Sequence, residues 1–383
     1  MALHSLLMDV LGRPSAPFRE SHVIAAIEAF LASLGVPSFR DPLGNVVVGA
    51  ADRKAVAALI AQPSGEPLRL FVAHLDHPGF HGVRWTRGAL EARWLGGSPV
   101  KGLRGAKVWL ADAMGYRGEG KIGTARLNPR GTAMQGLVIR VKGDALRHFD
   151  AAALFGGFAF RRPVWQVGSR LYTKAADDLV GACVVALLAA RAWAEGKPRL
   201  PFLGLLTRAE EVGFIGMIGH LELGWLRGKR RIVCVSLETS RQLPGAVSGA
   251  GPVARLGDRA TVFDPGSLQV LLGAAEAALP GRFQKRVMDG GTCEATVATA
   301  YGFPAIGISV PLGNYHNQNF DGGPDARVKN GPAPEFVDLR DVDGMLRLSE
   351  ALLEPGLPWA EPWAARVEGF RRDLEASRGL LAV

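Results

Sequence analysis

Cysteine is scarce in this sequence. Cys183, Cys234 and Cys293 are the only three in 383 residues, too few and too scattered for a disulfide framework or a zinc knuckle, so buried free thiols are expected. Long hydrophobic runs are missing as well. No window approaches the ~18 apolar residues of a membrane span, and Met1-Ala-Leu-His-Ser5 has neither the basic start nor the cleavage pattern of a signal peptide. These absences exclude a disulfide-stapled secreted module and a membrane protein, and a cytoplasmic location is expected.

Acidic residues fall short of basic ones, 36 against 45, for a net charge of +9. The imbalance is local. Between His81 and Trp165 there are 15 lysines and arginines and 5 acids, an excess of ten that leaves the rest of the chain near −1. The cations are spaced singly and match no nucleic-acid motif, so nucleic acid is not an expected partner. A solvated or subunit-facing surface is the first reading of this segment, an acidic ligand or polyanion the second.

What is present is an ordinary globular composition, 48% hydrophobic and 21% charged, with length for two domains. Ser21 to Leu34 places Ile24, Ile27, Phe30, Leu31 and Leu34 on one helical face, with Ser21 expected to cap it and Gly35 to end it. Asp41-Pro-Leu-Gly-Asn45 turns the chain into a strand at Val46, and Leu68 to Asp76 reads as another strand. From Gly79 to Arg170 helical periodicity gives way to glycines and short alternating runs. We expect an α/β fold with a mixed sheet, formed by residues 1–78 and 170–383, carrying a small β-barrel inserted at 79–169.

The α/β pattern resumes with Asp177 and Asp178 before an apolar helix. It continues with a strand at 201–206 that ends in Glu210-Glu211, a helix over 216–226, a strand from Arg231 to Glu238 and a strand at 302–311 leading to Gly313-Asn-Tyr-His-Asn317. Helices over 338–353 and 364–380 close the chain. Each polar group here has an ordinary explanation: a helix cap for either aspartate, dipole complementation for the glutamates, a chance pairing for His74 and Asp76. They share one property, however. His74, Asp177, Glu211, Glu238 and His316 all stand just past an apolar strand or just before a helix, where open α/β sheets bind ligands. Two imidazoles and three carboxylates suit two divalent ions with Asp177 between them, zinc first, with cobalt or manganese as alternatives. Such a pair shares a hydroxide nucleophile and polarises a carbonyl. Glu210 is then left as general base, and Asp76, two residues from His74 on an extended chain, can orient the imidazole.

Asp41-Pro-Leu-Gly-Asn45, Ala73-His-Leu-Asp76, Ala176-Asp-Asp178, Glu210-Glu-Val-Gly213, Gly290-Gly-Thr292 and Tyr315-His316 stand in the order found in the dinuclear metallopeptidases of clan MH. The chain most closely resembles the M42 glutamyl-aminopeptidase/endoglucanase-like group, over essentially its whole length. The resemblance implies His74 and Glu211 on opposite ions, Asp177 bridging, Glu238 and His316 completing the ligand shells, Glu210 as base and a cis peptide after Asp177. It also implies an aminopeptidase acting on short peptides and self-association through the inserted β domain. Three positions depart from the family: Glu238 stands where aspartate is usual, Leu179 where arginine is common, and Cys293-Glu294 follow Gly291-Thr292 where aspartate is usual. In the wider clan, glutamate at the first of these accompanies carboxypeptidases and amidohydrolases. That chemistry is the alternative, and a metal-free binding protein the further one. His77 and His81 match no ligand position and are expected at the rim of the site.

Overall fold

The computed structural model describes residues 3–194 and 200–381. Helices α1 (Leu3–Gly12) and α2 (Ser21–Ser33) open the chain, followed by β1 (Ser38–Arg40), β2 (Val46–Val48), α3 (Arg53–Ile60) and β3 (Leu68–His74). Next come β4 (Gly79–Thr86), β5 (Ala89–Leu95), β6 (Lys107–Asp112), β7 (Gly115–Leu127), β8 (Met134–Val141) and β9 (Phe155–Phe158). Then follow β10 (Val164–Val167), β11 (Arg170–Thr173), α4 (Leu179–Ala194), β12 (Phe202–Thr207), α5 (Ile215–Glu222), β13 (Ile232–Arg241) and β14 (Val253–Asp258). The chain closes with α6 (Pro265–Ala278), β15 (Gln284–Met288), α7 (Glu294–Ala300), β16 (Ala305–Leu312), β17 (Glu335–Asp338), α8 (Leu339–Ala351) and α9 (Ala364–Leu381).

The main sheet has eight strands in the order β1-β2-β12-β3-β13-β16-β14-β15. Its centre, β12-β3-β13-β16, is parallel, while β2 and β14 run antiparallel to their neighbours β12 and β16. Parallel strands covered on both faces must be apolar throughout, and every residue of β3, β12 and β16 is buried. Helix α4 is buried over nearly its whole length for the same reason, and its sequence is accordingly apolar on all sides.

Strands β4 to β9 close into a barrel in the order β4-β5-β8-β7-β6-β9, all pairs antiparallel, around a core that includes Phe80, Trp94, Ile122, Ile139 and Phe158. The barrel strands end at Phe158; β10 instead joins β11 and β17 in a separate three-stranded sheet. Among the described residues no helix is long and apolar enough to cross a membrane. All three cysteines are free and buried.

One local expectation fails. Glu20, not Ser21, occupies the cap position of α2, and it makes no side-chain cap hydrogen bond. Its carboxylate is engaged elsewhere, accepting from the backbone N–H groups of Phe18 and Ala209 and from Arg208 Nε.

Candidate metal centre

Four adjacent strands deliver side chains to one end of the sheet. His74 is the last residue of β3, Glu210 and Glu211 follow β12, Glu238 lies in β13, and His316 follows β16. Because these strands are parallel neighbours, their carboxyl ends open on one cleft, as expected of an open α/β sheet. Asp177 enters from the segment before α4, preceded by the buried strand β11 and followed by a cis Asp177–Asp178 peptide. β13 runs three residues beyond Glu238, to Arg241, because its pairing with β16 continues to Leu312.

Asp177 lies between the two imidazoles. Its Oδ1 is 3.6 Å from His74 Nε2 and its Oδ2 is 3.4 Å from His316 Nε2, so each oxygen faces one ring. Thr239 Oγ1 donates to Oδ1 at 3.1 Å. Glu211 Oε1 is 3.1 Å from His316 Nε2, and Glu210 Oε2 is 3.8 Å from His74 Nε2. Three ligand-like groups result: His74, Glu210 and Glu211; His74, Asp177 and Glu238; Asp177, Glu211 and His316. The cleft around them has a volume of about 260 Å³ and continues past Arg241, Met288 and Phe320.

The Asp76 carboxylate does more than face His74. It lies 3.7 Å from Nδ1, whose nearer acceptor is the Asp76 carbonyl at 3.1 Å. Its two oxygens accept the N–H groups of Glu210 and Glu211, at 2.9 and 3.2 Å. Asp76 and Glu20 thereby hold the turn at Ala209, whose φ of +54° is unusual for a residue with a Cβ.

The electrostatics call for cations. Burial, opposed by His74 and reinforced by Glu211, Glu238 and Glu294, pushes the Glu210 carboxyl well above the ordinary range. Burial also pushes Asp76 and Glu238 up to about 7. Asp177 goes the other way: burial raises it, but hydrogen bonding to His316 and His74 prevails and holds it below the usual carboxylate range. Burial disfavours both imidazolium ions, yet Glu210 and Asp177 hold His74, and Glu211 and Asp177 hold His316, well above the ordinary histidine value. Glu211 Oε1 is a buried oxygen that makes no hydrogen bond of good geometry among the described residues, although His316 Nε2 stands 3.1 Å away. Nitrogen and carboxylate donors crowded without enough positive charge fit divalent ions, which bind these groups deprotonated.

A pH dependence follows. Without metal, the folded state holds protons on Asp76, Glu238, His74 and His316 that the unfolded chain releases at lower pH. Stability contributed by the two carboxyls is therefore lost as pH rises from about 4 through about 7, and that of the two histidines as it rises above about 6.5. Asp177 has the opposite sign, but its contribution is complete above about pH 4. Calorimetry of chelator-treated protein is expected to show Tm falling across this range, while the Tm increment from added metal grows. An increment independent of pH would contradict protonated ligands.

Glu335 is a residue beside the candidate site that the sequence did not reveal. Fully buried at the start of β17, it accepts the His316 N–H on Oε1 at 2.8 Å, and the Ala176 and Asp177 N–H groups on Oε2 at 2.6 and 3.3 Å. One carboxylate thus fixes the backbone of the two segments that carry Asp177 and His316. The Glu335→Gln variant keeps the shape but places an amide N–H against one of these donors, so metal affinity is expected to fall about 10- to 100-fold. Competition against a graded chelator measures this, and unchanged affinity would remove Glu335 from the site. Gly97, just past β5, is a second such residue: a Cβ there would lie 1.9 Å from His316 Nδ1. The barrel therefore packs directly against the second imidazole.

Other expectations are redistributed. Asp178 is the helix cap, its Oδ1 accepting from Gly181 N–H at 3.2 Å, while its neighbour Asp177 faces the cleft. His77 is not at the rim but buried, with Nε2 3.1 Å from Glu335 Oε1; His81 is half-buried, 2.8 Å from the Pro17 carbonyl. Gly290, Gly291 and Thr292 do line the cleft. Behind them Glu294 is fully buried, and burial, opposed by His74 and Thr207, pushes it up to about 8. Arg255 is likewise buried in the cleft wall, 3.8 Å from Glu238.

The M42 glutamyl aminopeptidase family model matches residues 56–320, a span containing His74, Asp177, Glu210, Glu211, Glu238 and His316. No curated protein matches the chain by sequence. Among solved structures, the TET aminopeptidase of a marine-sediment Thaumarchaeota archaeon superposes with a TM-score of 0.71 at 20% identity, over 96% of this chain and 99% of that one. The TET1 peptidase of Pyrococcus horikoshii, described as assembling into a tetrahedron or a large octahedral shell, gives 0.70 at 18% identity over 92% and 100%. An aminopeptidase of Desulfurococcus kamchatkensis gives 0.70 at 20% identity over 94% and 97%. At these identities the likeness is one of fold.

Proposed function

The chain belongs to the M42 glutamyl aminopeptidase family of hydrolases, and from that premise we propose that it removes residues from the free N-terminus of short peptides by two-metal hydrolysis. The observation that carries this reading is Asp177, with one oxygen toward each imidazole. His74, Glu238 and Asp177 would hold one ion, and His316, Glu211 and Asp177 the other, zinc being the first expectation and cobalt or manganese the alternatives. When bound, such ions supply Lewis acidity that polarises a carbonyl and lowers the pKa of water.

The chain's own residues then bind and move protons. Glu210, kept basic by burial, takes the proton of the attacking water and returns it to the leaving amine. Asp76 holds the Glu210 and Glu211 backbone so that base and ligand stay in fixed relation. Self-association through the barrel is part of the proposal, supported by the fold shared with a shell-forming TET1 peptidase. Work in the cytoplasm accords with three free buried thiols.

Hydrolysis of a panel of free and N-blocked peptides, with metal analysis and with chelator, tests this. About two ions per chain and chelator-sensitive cleavage of unblocked peptides only is the expected outcome. Cleavage of blocked peptides would move the site to amidohydrolase or carboxypeptidase chemistry, and neither metal nor turnover would leave a binding protein.

A further inference from the structure

The proposed peptidase reaction leaves most of the basic charge of the barrel unused. Some of it is neutralised locally: Arg84 pairs with Glu91, Arg117 with Asp112 and Arg147 with Asp144. Arg104, Lys107 and Lys121 have no ion-pair partner among the described residues, and all three line one cavity of about 530 Å³, twice the volume of the metal cleft. Arg161 and Arg327 line the same cavity, Arg327 coming from the loop that joins His316 to β17.

Among the described residues the only carboxylate on this wall is Asp325, and it is taken. Its Oδ1 is 2.9 Å from Arg161 Nη2 and its Oδ2 accepts the Arg161 backbone N–H at 3.0 Å. The cavity thus holds four positive charges in excess. The register adds a second, independent observation. Lys107 of β6 sits directly opposite Lys121 of β7, a cross-strand pair of like charges that destabilises a sheet unless something neutralises it. Field lines from cations around a concavity concentrate inside it, which favours an anion there more than on a flat basic surface.

We propose that this cavity is a binding site for a compact multivalent anion carrying phosphate groups. A single carboxylate would offset only one of the four charges, whereas an oligophosphate spans several. The guanidinium groups of Arg104 and Arg327 match phosphate oxygens as forks, and the two lysines act as point charges. Phe160 and Val328 give the cavity apolar wall against which a ring attached to the phosphates would pack. A cavity with such walls, rather than a continuous groove interleaved with stacked aromatics, is not what single-stranded nucleic acid requires. The site lies outside the metal centre and does not depend on the reaction proposed there.

The test is calorimetric titration of the full-length, metal-loaded protein with tripolyphosphate, ATP and AMP at about 20 and 150 mM salt, since the Debye length shrinks strongly between the two. Saturable binding of tripolyphosphate and ATP near one per chain, weaker binding of AMP, and a marked loss of affinity at the higher salt are expected. The Lys121→Glu and Arg327→Glu variants should each bind at least about tenfold more weakly, with metal content and peptide hydrolysis unchanged. Lys107→Gln, which relieves the like-charge pair without reversing charge, should weaken binding less and raise Tm. Three results would overturn the site: no binding by the wild-type protein at low salt, equal binding by all variants, which would mean capture of metal by the phosphates, or binding equally strong at both salt concentrations.

Discussion

Glu210→Gln is expected to keep both metal ions and to lose turnover by about 10²- to 10⁴-fold, the usual contribution of a positioned general base. The amide has the shape of the carboxylate, and the turn carrying it is held from behind rather than by the side chain itself: Asp76 accepts the Glu210 N–H, and Glu20 accepts the N–H of Ala209. What the variant removes is a proton acceptor whose carboxyl is pushed well above its ordinary value by burial, against His74 and with Glu211 and Glu238. The experiment also decides a point of geometry. Glu210 stands within ligand distance of a group containing His74 and Glu211. Metal analysis beside kcat therefore separates a base from a ligand: turnover lost with two ions retained identifies the base, an ion lost identifies a ligand, and unchanged kcat rejects both roles.

Truncating Asp177 to alanine is expected to have the larger effect on the assembly of the centre. Both carboxylate oxygens face imidazoles, one toward His74 and the other toward His316. The variant should retain fewer than one ion per chain, show no measurable turnover, and lose the rise in Tm that metal gives the parent, because that rise is binding free energy added to folding. His74→Ala and His316→Ala provide the comparison. Each removes a ligand from one half only, so each should retain about one ion if Asp177 is the shared group. Two ions retained by Asp177→Ala would refute the bridge.

Much of the centre was legible in the sequence because its logic is local. A run such as Leu203 to Thr207 is apolar enough to be a covered strand, and polar residues directly beyond it must lie at the sheet edge. That rule found His74, Glu210, Glu211 and His316 without reference to one another. It placed Glu238 at a strand terminus, whereas β13 continues to Arg241; pairing with β16 extends the strand, and pairing is not a property of one segment. At Asp177-Asp178 both readings of an aspartate before a helix are realised in adjacent residues. Asp178 caps α4 and Asp177 turns into the cleft, a division that side-chain type alone does not make.

The residues that escaped the sequence reading are those whose partners are far away along the chain. Glu335 looks like an ordinary strand residue until β17 brings it against Ala176, Asp177 and His316. Gly97 has no turn signature that sets it apart from the other glycines of the barrel segment; its need to be glycine comes from the His316 ring. His77 lacks a ligand motif, which points to the rim, but the fold buries it beside Glu335. Lys107 and Lys121 are two cations among many until antiparallel pairing sets them face to face.

The sequence by itself determined the α/β class, the inserted barrel, the family and a candidate set of metal-holding side chains. Hydrophobic period, glycine content and short motifs are written within a few residues of one another. The tertiary structure alone decided which strands are neighbours, which carboxylate supports which backbone, and where unneutralised charge collects. Those properties arise from contacts between segments distant in the chain, where a side chain's role is set by what the fold packs against it.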